Sequence, residues 1–163
     1  MHFFKRPIFK LIFSILVCEV VGLIGSVFTA PSIVGWYAEL AKPTFNPPNW
    51  IFAPVWIILF ALMGIAAFLI WQHGWRLIKV KKALAVFSVQ LLLNMLWSFI
   101  FFALERPDLA LAEIVLLWIM ILVTTIAFFK ISKHAGWLMV PYILWVSFAV
   151  YLNYSIWILN SAL

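Results

Sequence analysis

The chain has 163 residues, of which 67% are hydrophobic and 10% are charged, and its mean hydropathy is +1.17. A soluble domain needs far more polar surface than this composition provides, so the numbers exclude a water-soluble globular protein. The net charge of +6 does not indicate a nucleic-acid partner, because nucleic-acid-binding proteins cluster their basic residues on a folded polar face that this chain lacks. The sequence therefore predicts a membrane protein.

Five apolar windows follow one another, each about as long as the ~20 residues that a helix needs to cross a ~30 Å hydrocarbon core. We predict an all-α protein, a polytopic five-transmembrane-helix bundle forming a single domain over residues 1–163. The predicted helices cover approximately 8–28, 49–72, 82–104, 108–130 and 137–160. A cleaved signal peptide is the alternative for the first window, but no convincing small-x-small cleavage site precedes Pro31.

The lysine and arginine residues predict the orientation of the bundle. Lys42 and Arg106 lie in the loops on one side of the membrane. The rest lie on the other side, at Lys5, Arg6, Lys10, Arg76, Lys79, Lys81, Lys82, Lys130 and Lys133. By the positive-inside rule the N-terminus is cytoplasmic, and loop 29–48 and the C-terminus face the outer side. Because no targeting extension is visible, we expect a bacterial cytoplasmic membrane.

Prolines and aromatic residues are concentrated between Trp36 and Trp56. Pro43, Pro47 and Pro48 fix φ and remove backbone donors, which predicts an ordered loop over 29–48 and a helix that begins only after it. We interpret this loop as a lid over the second helix.

Polar side chains inside the third window form one stripe. Gln90, Asn94, Trp97 and Ser98 share one helical face, which must point into the bundle or into a cavity because hydrocarbon offers no hydrogen-bond partners. Hydrogen bonding between helices and contact with a ligand are both open for Asn94 and Trp97, and the former is favoured for Gln90.

Two acids and one pair of small residues lie within the first and fourth windows. Glu19 has no cation at its depth, so we expect it to be protonated or hydrogen-bonded. Glu113 is expected to be solvated near the outer interface. Gly22 and Ser26 are spaced for close helix approach, either at a dimer interface or inside the bundle. No metal site is expected, because the histidines lack nearby ligands at a suitable spacing.

The unusual side chains are predicted to line a funnel beneath the loop. At 1.5 Å per residue, Trp56 lies ~9 Å, Trp97 ~10 Å, Asn94 ~15 Å and Trp145 ~21 Å below the outer ends of their helices. Aromatic walls with few polar groups suit a large, flat, mostly apolar ligand.

These residues resemble the tryptophan-rich sensory protein and translocator protein (TspO/MBR) family, which includes the peripheral-type benzodiazepine receptor. The resemblance covers nearly the whole chain, and it begins with G-S-x-F-T at 25–29. It continues at Trp36, Tyr37, Leu40, Lys42, Pro43, Pro47, Pro48, Trp50, Pro54, Val55, Trp56, Met63, Gly64, Asn94, Trp97, Phe101, Phe102, Glu113, Pro141, Tyr142, Trp145, Phe148, Ala149, Leu152 and Asn153.

The resemblance implies a five-helix bundle, commonly a homodimer, that binds porphyrins such as protoporphyrin IX or haem as ligands, with no intrinsic cofactor. The ligand-binding positions it implies are Ala53, Trp56, Asn94, Trp97, Trp145, Phe148, Ala149 and Leu152. A conventional enzyme is not expected, although Trp56 and Trp145 match the pair tied to light-dependent porphyrin degradation. No basic residue follows Lys133, so Tyr151 and Tyr154 complete no sterol motif.

We therefore expect a porphyrin-binding sensor or regulator, with light-dependent degradation as an added activity. One alternative is a transporter of tetrapyrroles, lipids or sterols. The absence of deep charged residues other than Glu19 disfavours ion-coupled transport. The other alternative is an interaction partner that acts through the Gly22 and Ser26 surface.

Overall fold

The computed structural model describes residues 7–161, and its regular structure within that range is entirely helical. The helices are α1 (Pro7–Val34), α2 (Trp36–Glu39), α3 (Asn49–Gln72), α4 (Ile78–Ser98), α5 (Pro107–Phe129) and α6 (Lys133–Asn160). A π-helical segment, Phe99–Ala103, continues α4 without a break. All except α2 belong to segments long and apolar enough to cross a membrane, which confirms the all-α, five-span prediction.

The first helix is longer than predicted. It was expected to end at residue 28, but α1 runs to Val34 and contains Pro31 within its last turns. Membrane helices tolerate proline where neighbouring groups satisfy the backbone, so Pro31 does not end this one. The loop predicted over 29–48 is therefore shortened to residues 40–48, after the short helix α2.

Two other helices begin earlier than the apolar windows indicate. The start of α4 is Ile78 instead of 82, and the start of α6 is Lys133 instead of 137. Lysine is a good helix former, so basic residues continue a helix beyond its apolar part. At α6 the Ser132 hydroxyl also caps the helix, accepting a hydrogen bond from the Ala135 N–H at 3.4 Å. Pro141 consequently lies well beyond the first turn of α6.

The spanning helices form a closed ring. Following the contacts between neighbours, the order around the ring is α1, α3, α6, α5 and α4, with α4 returning to α1. The short connections make successive spans alternate in direction. We call the end that carries loop 40–48 the loop end. The end where α3 finishes and α4 begins is called the basic end.

Close approach of α1 and α3 depends on Gly64. A Cβ atom at this position would lie 2.5 Å from the Ile15 Cα and 2.9 Å from the Ser14 carbonyl oxygen, both backbone atoms of α1. Gly22 also lies close to α3, but it faces a side chain, the Phe60 ring, instead of backbone atoms. The sequence left two alternatives for Gly22, a dimer interface or a contact inside the bundle. The structure shows a contact inside the bundle.

We expect Gly64→Ala to lower the stability of the purified protein by about 1–3 kcal/mol, because backbone atoms cannot move aside and α1 must shift. The check is the thermal unfolding midpoint in detergent. Gly25→Ala is the matched control, since its Cβ would meet only the Ser98 side chain, with the hydroxyl at 3.3 Å free to rotate away. Equal midpoints for the two variants would contradict this account of the α1–α3 contact.

Candidate functional site

A cavity of about 420 Å³ lies at the loop end, enclosed by α1, α3, α4 and α6. Seven of the eight predicted ligand-binding residues line it: Ala53, Trp56, Asn94, Trp97, Trp145, Ala149 and Leu152. Phe148 is not among the lining residues. Its ring lies 5.6 Å from the Trp145 ring and 6.2 Å from the Phe45 ring, measured between centroids.

Three indole rings from three helices form the walls, and they differ in how firmly they are held. The Trp97 Nε1–H donates a hydrogen bond to the Asn153 Oδ1 at 3.1 Å, and the Asn153 Nδ2 donates to the Pro107 carbonyl at 2.8 Å. Trp56 and Trp145 pack edge-on against Tyr142 and Phe52. No residue of the described range accepts a hydrogen bond from the indole N–H of Trp56 or Trp145, so these two groups remain available to a ligand.

The polar groups of the cavity are few. Asn94 is buried, and its Nδ2 donates to the Tyr142 hydroxyl at 3.0 Å. This bond fixes the amide and leaves its carbonyl oxygen without a partner within residues 7–161. Asn94 thus bonds another helix and also lines the cavity, so its bond to Tyr142 does not prevent contact with a ligand. Glu19 also lines the cavity, partly exposed and without a side-chain hydrogen bond from the described part of the chain.

An aromatic cover closes the cavity at the loop end. We use this term for Trp36, Tyr37, Phe101 and Phe102. The Tyr37 ring lies 6.2 Å from that of Phe101 and 5.8 Å from that of Phe102, and Trp36 meets Phe101 edge-on. The cover continues into the wall, because the Phe101 ring stacks on Trp97 at 5.2 Å.

Loop 40–48 is attached to this cover and to the end of α6. The Tyr37 hydroxyl donates to the Asn46 Oδ1 at 3.0 Å. A phenol is protonated at neutral pH, and burial raises the pKa of Tyr37 further above that range, so its hydroxyl is a hydrogen-bond donor. The Asn160 side chain accepts from the Ala41 N–H at 3.0 Å and donates to the Ala41 carbonyl at 2.9 Å.

Sequence reasoning missed several parts of this site. The hydrogen-bonding roles of Tyr37 and Asn153 were not predicted, although an amide such as that of Asn153 in an apolar window signals a need for a partner. The π-helical segment carries no sequence signal that the apolar window reveals. Leu104, directly after the segment, donates its N–H to the Phe99 carbonyl five residues earlier at 3.0 Å, and the segment brings Phe101 and Phe102 to the cavity.

The expectation that Glu113 is solvated was wrong. Its side chain is 8% exposed, and neither carboxyl oxygen has a hydrogen-bond partner among the described residues. Asp108 and Arg106, one turn nearer the interface, pair with each other at the surface and leave Glu113 alone below them. Potential metal ligands do not cluster in the described part of the chain. No group of three or more His, Cys, Asp or Glu within residues 7–161 is placed to hold a metal ion.

Comparison with known proteins places the chain among its relatives. The model of the TspO/MBR family matches residues 14–158. The chain belongs to the TspO/MBR family. It is 45% identical to the tryptophan-rich protein TspO of Chlorobaculum tepidum, over 96% of this chain and 99% of that protein. It is 39% identical to the tryptophan-rich sensory protein of Cereibacter sphaeroides, over 77% of each chain. The human translocator protein is 36% identical, over 82% of this chain and 80% of that one.

The match to the TspO/MBR family confirms the resemblance drawn from the proline loop and the tryptophans. It also establishes an integral membrane protein, in agreement with the five apolar spans. Relatives that carry the name translocator protein and relatives that carry the name sensory protein are both similar to this chain. The names of these relatives therefore do not distinguish a sensor from a transporter.

We expect Asn160→Ala to release loop 40–48, because it removes both hydrogen bonds to Ala41, each worth about 0.5–1.5 kcal/mol. Hydrogen–deuterium exchange of the loop amides should accelerate about tenfold while exchange in α3 and α5 is unchanged. Ser161→Ala is the control, since the Ser161 hydroxyl bonds only the Ile158 carbonyl of the preceding turn. Unchanged exchange in Asn160→Ala would show that the remaining contacts, among them the Tyr37–Asn46 hydrogen bond, are sufficient to hold the loop.

We expect Glu113→Leu to raise the unfolding midpoint in detergent, by the equivalent of about 1–3 kcal/mol, since it removes two buried oxygens that lack partners. Glu113→Gln keeps the shape and a polar group, so it should change stability little. Glu39→Leu, at an exposed acid, is the control and should give no such gain. A lower midpoint for Glu113→Leu would mean that the carboxyl has a stabilising partner.

Proposed function

We propose that this TspO/MBR protein binds porphyrin-like tetrapyrroles, such as protoporphyrin IX or haem, in the cavity at the loop end and acts as a sensor or regulator. The observation that carries the proposal is the gathering of Trp56, Trp97 and Trp145 around one cavity of about 420 Å³. This volume is within the ~300–1,000 Å³ of small-molecule sites. The walls are largely apolar, as a macrocycle that partitions into membranes requires.

The shape and the rigidity of the walls favour a flat guest. Indole rings offer planar faces that stack on other aromatic systems. Trp97 is fixed through Asn153, so its ring is pre-oriented and little conformational entropy is lost on binding. The aromatic cover adds Tyr37 and Phe101 as further apolar contacts from above.

The hydrogen-bonding groups fit a ligand with both donors and acceptors. The free indole N–H groups of Trp56 and Trp145 suit ligand carboxylates or carbonyls, and the free Asn94 carbonyl oxygen suits a ligand N–H such as that of a pyrrole. Glu19 adds a carboxyl at the deep end of the cavity. A tetrapyrrole with acidic side chains carries both kinds of group.

Light-dependent degradation of the bound porphyrin is part of the proposal. An indole in contact with a photoexcited macrocycle can donate an electron to it, and Trp56 and Trp145 are the two wall indoles with no N–H partner in the described chain. We keep the transport alternative only as an outcome of the test. Glu113 adds a second intramembrane carboxyl to Glu19, but neither it nor Glu19 pairs with a cation of the described range, and no observation favours ion coupling.

The placement in the membrane belongs to the same proposal. Lys79, Lys81 and Lys82 begin α4 at the basic end, whereas loop 40–48 lies at the opposite end. By the positive-inside rule the basic end faces the cytoplasm of a bacterial cell and the cavity opens toward the outer side. A homodimer is also proposed, with an interface away from Gly22, which contacts Phe60 within the chain.

The test is a titration of purified protein with protoporphyrin IX, followed by tryptophan fluorescence. We expect quenching at micromolar protein. Trp56→Phe and Trp145→Phe should each weaken binding about two- to tenfold, because each loses one indole hydrogen bond. Trp137→Phe is the matched control, since Trp137 is exposed at the start of α6, away from the cavity, and it should bind as the native protein does.

Illumination of the complex separates the remaining alternatives. Bleaching that the Trp56→Phe and Trp145→Phe variants abolish supports degradation, whereas tight binding without bleaching supports sensing alone. Porphyrin flux across proteoliposomes would support transport instead. Absence of quenching in the native protein would overturn the proposed function.

A further inference from the structure

A second cavity, of about 580 Å³, lies at the basic end on the opposite half of the bundle. It is an open groove, with α1 and α4 as its sides and α3 as its floor. Its lining includes Phe13, Cys18, Ala67, Trp71, Lys81 and Ala85. None of the residues that line the first cavity lines this groove.

The groove lies where α1 changes its neighbour along the bundle. At the loop end α1 touches α4, where a Cβ on Gly25 would lie 3.3 Å from the Ser98 hydroxyl and the Phe28 and Phe99 rings meet at 5.2 Å. At the basic end α1 instead lies on α3, through Gly64. The sides of α1 and α4 are therefore separated at the basic end, and the space between them is built into the backbone.

The groove is apolar within and cationic at its rim. Cys18 and Ala67 are buried at its base. Lys81 stands on the α4 side, and the Lys10 ammonium lies 5.2 Å from the Trp71 ring centroid at the end of the α3 floor. The rim thus presents two cations and an indole at the depth where the basic loops leave the membrane.

These cations have no acidic partner in the chain. The sequence contains no Asp or Glu before Glu19, between Glu39 and Glu105, or after Glu113. Glu39 and Glu105 lie at the loop end, as does the ion pair of Arg106 and Asp108. The counter-charge at the basic end must therefore come from outside the protein.

We propose that this groove is a binding site for one anionic phospholipid of the leaflet at the basic end. The phosphate lies between Lys81 and Lys10, within reach of the Trp71 indole N–H, and one acyl chain runs along the apolar base over Ala67 and Cys18. Basic pockets between transmembrane helices are where anionic headgroups bind. An apolar base beneath the cations selects an amphiphile over a free anion.

The charge pattern also argues against a second copy of this chain as the occupant. A symmetric partner would bring its own Lys10 and Lys81 to the contact, with no carboxylate at that end to compensate them. A phospholipid supplies the missing negative charge and the apolar chain together. This lipid site is independent of the proposed porphyrin function, because the two cavities lie on opposite halves of the bundle.

The test is native mass spectrometry of the purified full chain in detergent, with phosphatidylglycerol and phosphatidylcholine of identical acyl chains offered together. We expect one retained phosphatidylglycerol in preference to phosphatidylcholine. Lys81→Gln and Lys10→Gln should each reduce this preference about fivefold. Lys79→Gln is the matched control, because Lys79 is exposed on the same helix but does not line the groove, and it should keep the preference.

A second variant tests the acyl-chain part of the site. Ala85 lines the groove with an exposed side chain, so Ala85→Phe fills the groove without disturbing the buried core, and it should lose retention of both lipids. Unfolding midpoints without added lipid confirm that each variant is folded. Protoporphyrin IX quenching should be unchanged in all of them, which separates a failure here from a failure of the proposed function.

Several results would overturn the proposal. Equal retention of the two lipids by the native protein would show that the groove does not recognise the anionic headgroup. If Lys79→Gln reduced the preference for phosphatidylglycerol as much as the other two variants, the anionic lipid would be attracted by the general positive charge of this end and not by the groove. Displacement of the retained lipid by millimolar glycerol phosphate would show a site for free anions, and dimer dissociation in Ala85→Phe would show that a second copy fills the groove.

Discussion

The side chain of Asn153 joins three helices at the level of the cavity. It accepts a hydrogen bond from Trp97 on α4, belongs itself to α6, and donates to the Pro107 carbonyl at the start of α5. Hydrocarbon cannot replace any of these partners, so breaking one bond leaves a polar group without compensation. Deeper in the bundle, the bond from Asn94 to Tyr142 joins α4 to α6 a second time. These two amides hold the wall helices at fixed positions, and the cavity keeps its width because of them.

The neighbours of α1 change along its length, and this determines where the bundle is open. Near the basic end α1 contacts α3 through Gly64, and near the loop end it contacts α4 next to Gly25. Each half of the bundle has its own opening, with aromatic walls and few charges at the loop end and lysines at the rim of the opening at the basic end. The two openings therefore suit chemically different guests.

Composition and the lengths of the apolar windows were sufficient to predict five spans, because the length of an apolar run and the hydrocarbon thickness determine a span directly. The convergence of Trp56, Trp97 and Trp145 also followed from depth and helical phase. The continuation of α1 through Pro31 could not be predicted, because whether a proline ends a membrane helix depends on groups from other helices. The environment of Glu113 was missed for a similar reason. Its depth is readable from sequence, but the direction it faces depends on how α4 and α6 pack around α5.

The π-helical segment at the end of α4 alters the angular position of the residues beyond it. A π turn contains one residue more than the α turn it replaces, so the later part of the helix is rotated by about 100° relative to an uninterrupted one. That rotation allows adjacent phenylalanines, Phe101 and Phe102, both to contact Trp97 from one side of the helix. The one extra residue in the turn thus helps to place both rings in the roof of the chamber, which is the aromatic cover. Deleting one residue from this segment would rotate the rings out of the roof again, an effect that no side-chain substitution can reproduce.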